Sequence, residues 1–283
     1  MAEWIIRLLE THEDMTKAEA LQRLVWSDSE TDVIPTHMLM AVIHNGGLGV
    51  GAFVGDDLVG FAFGFPGVVQ TQDGLLLKHH SHILGVHPAW SGKGIGFAIK
   101  RAQWQMLRKQ GIDRVTWTYD PLLSRNAHLN ITRLGAVCST YLRSEYGNMR
   151  DGLNAGLPTD RFQVDWWLNS PRVVRRLNRQ ARPALTLEHY LAAGASLLEA
   201  QRGRGSSLRP PGGLPQLDGS LLLVEIPPDF IAMKAVDLPL ARDWRFYGRE
   251  VFETAFAGGY LVTDLIYEDG HSHYLLTHGE ATL

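Results

Sequence analysis

Apolar and polar positions fall into short blocks along the chain, and their period changes from block to block. Residues 4–9 are apolar with β-branched members and read as a strand. The segment "TKAEALQRLVW" repeats its apolar positions three and four apart, which predicts a helix with Thr16 as its N-cap. A second helical pattern covers residues 36–44. "LGVGAFVGDDLVGFAFGFPG" and "GLLLKHHSHILGVHP" then predict three strands in an antiparallel meander, with a hairpin turn at Gly55, Asp56 and Asp57. A helix of about five turns follows over residues 92–110 and stops at Gly111.

Beyond it, "IDRVTWTYDP" predicts a strand, residues 122–134 a short helix ending at Gly135, and "AVCSTYLRS" another strand. "EYGNMRDGLNAGLPTDRF" is rich in Gly, Asn and Asp and reads as a long irregular loop, the kind of segment that often carries function. "FQVDWWL" gives one more strand. From Ser170 the texture changes to an Arg-rich helical stretch, a helical stretch over residues 187–198, and the Gly/Pro/Ser-rich "QRGRGSSLRPPGGLPQLDGS". The remainder reads as a small β-α-β-β unit. The expected architecture is therefore α/β (α+β), a mixed, mostly antiparallel sheet flanked by helices over residues 1–170. A smaller α/β extension follows over 171–283, with a linker at 202–219.

Composition narrows the function classes. With 27 Lys+Arg against 30 Asp+Glu, a net charge of -3 and no basic run, the chain lacks the electrostatic footprint of a nucleic-acid binder, so a small-molecule partner is expected. The lone Cys138 excludes internal disulfides and a cysteine-ligated zinc site, which fits a cytoplasmic location. No window approaches the ~18 apolar residues of a membrane span, and no signal peptide opens the chain, so no membrane association is expected.

The chemistry begins at "HILGVHPAWSGKGIGFAIKRAQWQML". Gly92, Gly94 and Gly96 stand between a strand and a helix, where glycines let backbone N–H groups approach an anion and the helix start favours negative charge. A pyrophosphate suits such a turn. A dinucleotide fingerprint fails because its third glycine position is Phe97, and a P-loop fails because Gly96 is followed by Phe97 and Ala98 rather than Lys-Ser or Lys-Thr.

The segment resembles the acyl-coenzyme A binding turn of the GNAT acyltransferase superfamily, with Gly94 and Gly96 on its Gln/Arg-x-x-Gly-x-Gly/Ala pattern and Ser91 where Gln or Arg is usual. "SRNAHLNITRLGA" resembles the same superfamily's later Asn-x-x-Ala helix, with Ala127, Leu134 and Gly135 in place. The resemblance implies a GNAT fold over the first 170 residues and transfer of an acyl group from coenzyme A to an amine; no metal is expected, since the His-x-His pairs of the chain lack an evident third ligand. It assigns Leu84, Gly85, Val86, Ser91, Gly92, Lys93, Gly94, Ile95 and Gly96 to the donor, with Ser124, Asn126 and Asn130 either meeting coenzyme A or capping their helix.

Direct transfer needs a neutral amine, a polarised thioester and a proton for the leaving thiolate. The tyrosine that usually supplies that proton is replaced by Ile131, which leaves Tyr119, Tyr141 and Tyr146 as candidates, Tyr141 and Tyr146 foremost. For the base, "KHHSHILGVH" places His80 and His82 on one face of an extended strand with Leu84 and Val86, and His82 is preferred; a hydrogen-bonded structural histidine is the alternative. His80 with His82, and His271 with His273, have a usable metal-ligand spacing but no evident third ligand. Asp120 either holds an ammonium or starts a turn before Pro121, and Arg161 either clamps a carboxylate or pairs with Asp160.

Over its whole length, including "WTYDPL", "YGNM" and "TDRF", the chain resembles a bacterial GNAT branch, some members of which are associated with N-succinylation of amino acids. This implies acetyl- or succinyl-coenzyme A as donor and a small amine, an amino acid, as acceptor. Arg125, Arg143, Arg150 and Arg161 are available for a carboxylate. The competing readings are a non-catalytic acyl-coenzyme A sensor, motivated by Ile131 and Ser91, and a protein or peptide acetyltransferase. The apolar "YLVTDLIY" run raises a homodimer through an uncovered strand edge.

Overall fold

A computed structural model describes residues 3–26, 30, 33–72, 74–147, 155–178, 185–203, 208–214 and 216–279. The chain divides into two units, one of residues 3–117 with Trp167–Ser170, the other of 118–147, 155–166 and 171–279.

The first unit opens with β1 (Ile5–Leu8) and α1 (His12–Val25). The N-cap of α1 is Thr11, not Thr16. Thr11 Oγ1 accepts from the Asp14 amide at 3.1 Å and the Asp14 carboxylate accepts from the Thr11 amide at 3.1 Å, a reciprocal capping box that Arg7 closes with a 2.7 Å ion pair. Thr16 lies inside the helix, its hydroxyl donating to His12 O. The apolar period misses this start because the first turn is polar. α2 (Thr36–His44), β2 (Leu48–Val54), β3 (Asp57–Thr71), β4 (Gly74–Val86), α3 (Ile95–Lys109) and β5 (Arg114–Tyr119) follow.

The strands order β1-β2-β3-β4-β5, antiparallel except for the parallel β4–β5 pair. On one face Leu9, Met15, Leu21, Leu39, Phe53, Phe61 and Phe63 form a core under α1 and α2. On the other, α3 buries Ile95, Ile99, Trp104 and Leu107. Contact is close enough that a Cβ on Gly60 would lie 2.9 Å from Ile95 Cγ2.

β4 carries the irregularity that matters. Phe63 pairs with Ile83 but Phe65 pairs with His80, so Ser81 and His82 together oppose one residue, Gly64, in a β-bulge. The extra residue reverses the pleat. Ile83 packs with Phe63 into the α1–α2 core, on the face that His80 shares with Phe65, and Leu84 and Val86 turn to the opposite face. The expected common face of His80, His82, Leu84 and Val86 is thus broken at the bulge. The β4–β5 ladder pairs His79 with Val115 and His80 with Thr116, and among the described residues it ends there.

In the second unit, α4 (Ser124–Ala127) widens into a π turn over His128–Arg133 that ends at Gly135, φ 79°. β6 (Val137–Leu142), β7 (Arg161–Trp167), α5 (Pro171–Leu177), α6 (Leu187–Ala192), β8 (Ser196–Leu198), β9 (Gln201–Arg202), β10 (Leu208–Arg209), β11 (Leu221–Ile226), α7 (Phe230–Val236), α8 (Leu238–Ala257), β12 (Leu261–Glu268) and β13 (His271–Thr277) complete it. Its sheet runs β7-β6-β12-β13-β11-β8, antiparallel apart from β11–β8, and β9 pairs with β10 in a separate ribbon. Phe162, Phe252 and Tyr274 meet edge-on at its centre.

Three expectations are corrected here. The helix read over 187–198 stops at Ala192, because Gly194 takes φ 85° and the chain re-enters as β8. The segment read as a linker at 202–219 is anchored where described: Trp244 Nε1 donates to Leu208 O at 2.8 Å and Tyr260 Oη to Gly219 O, all within the second unit. The "YLVTDLIY" run forms β12, which lies inside the sheet rather than at its edge, paired along its length with β13 and at Val262 with Cys138 of β6. Among the described residues no helix is long and apolar enough to cross a membrane.

Candidate functional site

In the first unit β4, the glycine turn and α3 follow one another without a break. His87 Nδ1 accepts from the Ala89 amide at 3.1 Å and starts a short 3-10 turn at Pro88–Trp90. Gly92 and Gly94 then take φ 78° and 82°, the left-handed region that favours glycine. Gly94 caps α3 with no side chain, and a Cβ built on it meets nothing within 4 Å. Ser91, Gly92, Lys93 and Gly94 are exposed, while Ile95 is buried and anchors the first helical turn. The Lys93 ammonium rests 4.2 Å from the centre of the Trp90 ring. The result is a solvent-facing helix start without a side-chain cap, with a lysine beside it, which suits a phosphate-bearing ligand.

Upstream, the bulged strand turns polar groups to both faces. The His80 and His82 rings lie 5.8 Å apart, each beside Phe65. Burial, then the neighbouring His82, lowers the His80 pKa to about 4; burial also lowers that of His82, whose ring is still open to solvent. Both are neutral at pH 7. Thr116, which pairs with His80 across the ladder, is buried, and its Oγ1 has no hydrogen-bond partner among the described residues. Leu84 and Val86 are half-buried, and Gly85 is buried so close to Trp26 that a Cβ would lie 2.8 Å from that ring.

On the α3 side lies a group that the apolar pattern does not single out. Lys100 is 2% exposed, and its Nζ donates to Ser81 Oγ at 2.9 Å and to Gln103 Oε1 at 2.7 Å, 4.0 Å from the centre of the Trp117 ring. Gln103 Nε2 lies 3.4 Å from His79 Nε2; an amide nitrogen only donates, so the ring proton sits on Nδ1, which is buried without a partner among the described residues. Burial lowers Lys100 to about 7, and burial followed by the Lys100 charge lowers His79 to about 3. The available signal was two polar residues, Lys100 and Gln103, in the buried stripe of an amphipathic helix.

The second unit holds the remaining candidates. Asp120 is enclosed: Oδ1 accepts from the Leu122 amide at 2.9 Å and from Arg245 Nη1 at 2.9 Å, and Oδ2 from Arg245 Nη2. It therefore both starts the turn and neutralises Arg245. Arg161 lies 3.8 Å from Asp120 Oδ2, donates to Asp160 O at 2.9 Å and sits 5.3 Å from the Tyr146 ring centre. The Asp160 carboxylate accepts from Arg249, from the Ser144 amide and from Tyr141 Oη at 2.8 Å. Burial, the largest single influence, pushes the Asp160 pKa up, but the hydrogen bonds from Arg249, the Ser144 amide and Tyr141 together with the Arg249 charge hold the group below its usual value. Tyr141 is raised by burial and by Asp160, and its proton is committed to that carboxylate.

Tyr146 is 47% exposed, its Oη 2.6 Å from Thr118 Oγ1. Tyr119 is buried against Tyr274, their hydroxyls 3.1 Å apart. Ser124 Oγ lies 2.6 Å from Ser272 Oγ, Asn130 is buried in the π turn, and Asn126 is exposed. Ile131 is fully buried. Arg143 pairs with Glu253, Arg125 is exposed, and Arg150 lies outside the described residues. His271 Nδ1 is 2.6 Å from Glu225 Oε1, and among the described residues no group of three His, Cys, Asp or Glu is placed to hold a metal ion.

No protein-family model and no curated protein matches the sequence. Among solved structures the chain is similar to GNAT-family acetyltransferases. One from Desulfovibrio desulfuricans is 16% identical, with a TM-score of 0.47 over 59% of this chain and 99% of its own. One from Streptococcus pneumoniae is 14% identical, with a TM-score of 0.45 over 58% of this chain and 98% of its own. An N-acetyltransferase from Thermoplasma acidophilum in complex with coenzyme A is 16% identical, with a TM-score of 0.41 over 58% of this chain and 99% of its own.

Proposed function

We propose that the protein is an acyl-coenzyme A dependent N-acyltransferase of the GNAT type, with its catalytic domain in residues 1–170 and an extension in 171–283. One observation carries the reading: a strand that leaves its parallel neighbour after His80 runs, through Gly92 and Gly94 at positive φ, into the uncapped start of α3. That order provides free strand-edge groups for an extended thioester arm and backbone N–H groups for a pyrophosphate. The donor, acetyl- or succinyl-coenzyme A, supplies an activated acyl carbon. Ser91, Gly92, Lys93, Gly94, Ile95 and Gly96 take its phosphates, and the backbone of Leu84, Gly85 and Val86 takes the arm.

His82 accepts the acceptor's ammonium proton. Its lowered pKa leaves the ring unprotonated at neutral pH, so it is ready for that role. The amine nitrogen then bonds to the thioester carbon, the carbon–sulfur bond breaks, and the thiolate takes up a proton. Tyr146 is the proposed donor of that proton, because Tyr141 is held by Asp160 and Tyr119 is buried against Tyr274. Arg161 is proposed to take a carboxylate on a small amino-acid acceptor, with Asp120 fixing its surroundings. Ser124 and Asn130 support the α4 region from within, and Asn126 is the member of that group open to a ligand.

The test is incubation with pooled D- and L-amino acids and either acetyl- or succinyl-coenzyme A, read by product mass and by free thiol release. A mass gain on an amino acid names acyl group and acceptor together. Coenzyme A binding without turnover favours the sensor, and acylation of peptides alone favours a protein substrate.

A further inference from the structure

The bulge in β4 is gripped by side chains from α3. Ser81, the first bulge residue, is 5% exposed, and its hydroxyl both accepts from Lys100 Nζ at 2.9 Å and donates to Gln103 Oε1 at 3.2 Å. Lys100 and Gln103 are also joined directly, at 2.7 Å, so the three side chains close a ring of hydrogen bonds. Ser81 is the residue immediately after the last rung of the β4–β5 ladder, the His80–Thr116 pair. A Cβ on Gly64, opposite the bulge, would lie 2.3 Å from His79 Nε2, so the strand across from it is pressed against the same group. An ammonium in the buried stripe of a helix costs desolvation, visible in its pKa of about 7, and an aliphatic residue would fill the same space without that cost.

We propose that Lys100 and Gln103 are positioning residues that fix, through the Ser81 hydroxyl, the bulge at which β4 leaves β5, and so hold the strand edge that receives acyl-coenzyme A. The second half of this statement rests on the acyl-coenzyme A reading; the first half does not. Neither residue touches the reacting atoms. Their effect is on the register of β4: without the ring the bulge slides or anneals, β4 zips further along β5, and the groups meant for the donor are lost to the ladder.

Two measurements on Ser81→Ala, Lys100→Met and the double variant decide it: amide hydrogen exchange across residues 79–86, and coenzyme A affinity by calorimetry, with KM for donor and acceptor where turnover is found. Expected are at least a tenfold change in exchange of the 81–86 amides with α1 unchanged, and about tenfold weaker coenzyme A binding. Donor KM should rise while acceptor KM stays put. The double variant should be no worse than the more damaging single variant, since both break one ring. Parent-like exchange in folded Ser81→Ala, or effects that add fully in the double variant, overturn the proposal. Should Lys100→Met not fold, Ser81→Ala carries the test, because it leaves Lys100 bonded to Gln103. A parent protein that fails to bind coenzyme A would end the acyl-coenzyme A reading, while the exchange result would still decide the role of the ring.

Discussion

His82 and Asp120 show how a titratable side chain can be open for chemistry or consumed by structure. The His82 ring lies beside those of His80 and Phe65 and keeps a solvent-facing side. Its replacement by alanine is expected to lower kcat by about 10²- to 10⁴-fold, the usual contribution of a general base, with donor affinity unchanged. Because its pKa is lowered, the acid limb of kcat/KM should fall below pH 6.5, where the ring gains its proton and stops accepting. A parent-like rate in His82→Ala moves the base elsewhere. Asp120, by contrast, has both oxygens engaged by Arg245 and the Leu122 amide. Asp120→Ala leaves Arg245 buried and uncompensated, so a loss of about 3–5 kcal/mol is expected in denaturant unfolding.

At the scale of elements, the glycine turn and the first helix cap are two places where a single residue decides local structure. Gly94→Val puts a β-branched residue at φ 82° and should weaken coenzyme A binding more than tenfold while leaving the core of α1 and α2 folded, as circular dichroism and calorimetry would show. Thr11→Ala should cost about 1 kcal/mol through the lost capping box, whereas Thr16→Ala should be close to neutral. These cases also mark what the sequence discloses. Strands and helices over the first 170 residues are legible because their apolar periods are regular, and the turn at Gly92–Gly94 because only glycine suits its φ. The bulge at Ser81 and His82 is not, since one extra residue leaves the composition of the strand unchanged while reversing every later side chain. Nor are the partners of Asp120 and Asp160 legible: Arg245 and Arg249 lie more than eighty residues downstream, and long-range pairing leaves no local pattern.

At the scale of the whole molecule, buried bases set the pH dependence of stability. His79 and His80 bind their protons at about 3 and about 4 when folded, against 6.5 for an unperturbed ring, and Lys100 at about 7 against 10.5. Between each pair of values the unfolded chain holds the proton and the folded chain does not, so stability rises with pH. The histidines act from about pH 3 to 6.5 and Lys100 from about 7 to 10.5. Asp14 and Glu19, held below their usual values by Arg7 and by Thr36, lose their stabilising contribution as pH falls through the acid range, in the same direction. On the alkaline side Cys138, Tyr119 and Tyr274, raised by burial, oppose the trend once their unfolded counterparts ionise near pH 9 to 10. Stability should therefore climb from acid to a maximum near pH 9, with Lys100 contributing a slope of up to ~1.4 kcal/mol per pH unit above pH 7. Urea midpoints at pH 5.5, 7 and 9 read this directly. Lys100→Met should flatten the segment between pH 7 and 9 and shorten the acid rise, since the Lys100 charge no longer adds to burial in holding His79 and His80 down; an unchanged slope above pH 7 would mean that the ammonium is not the group that titrates.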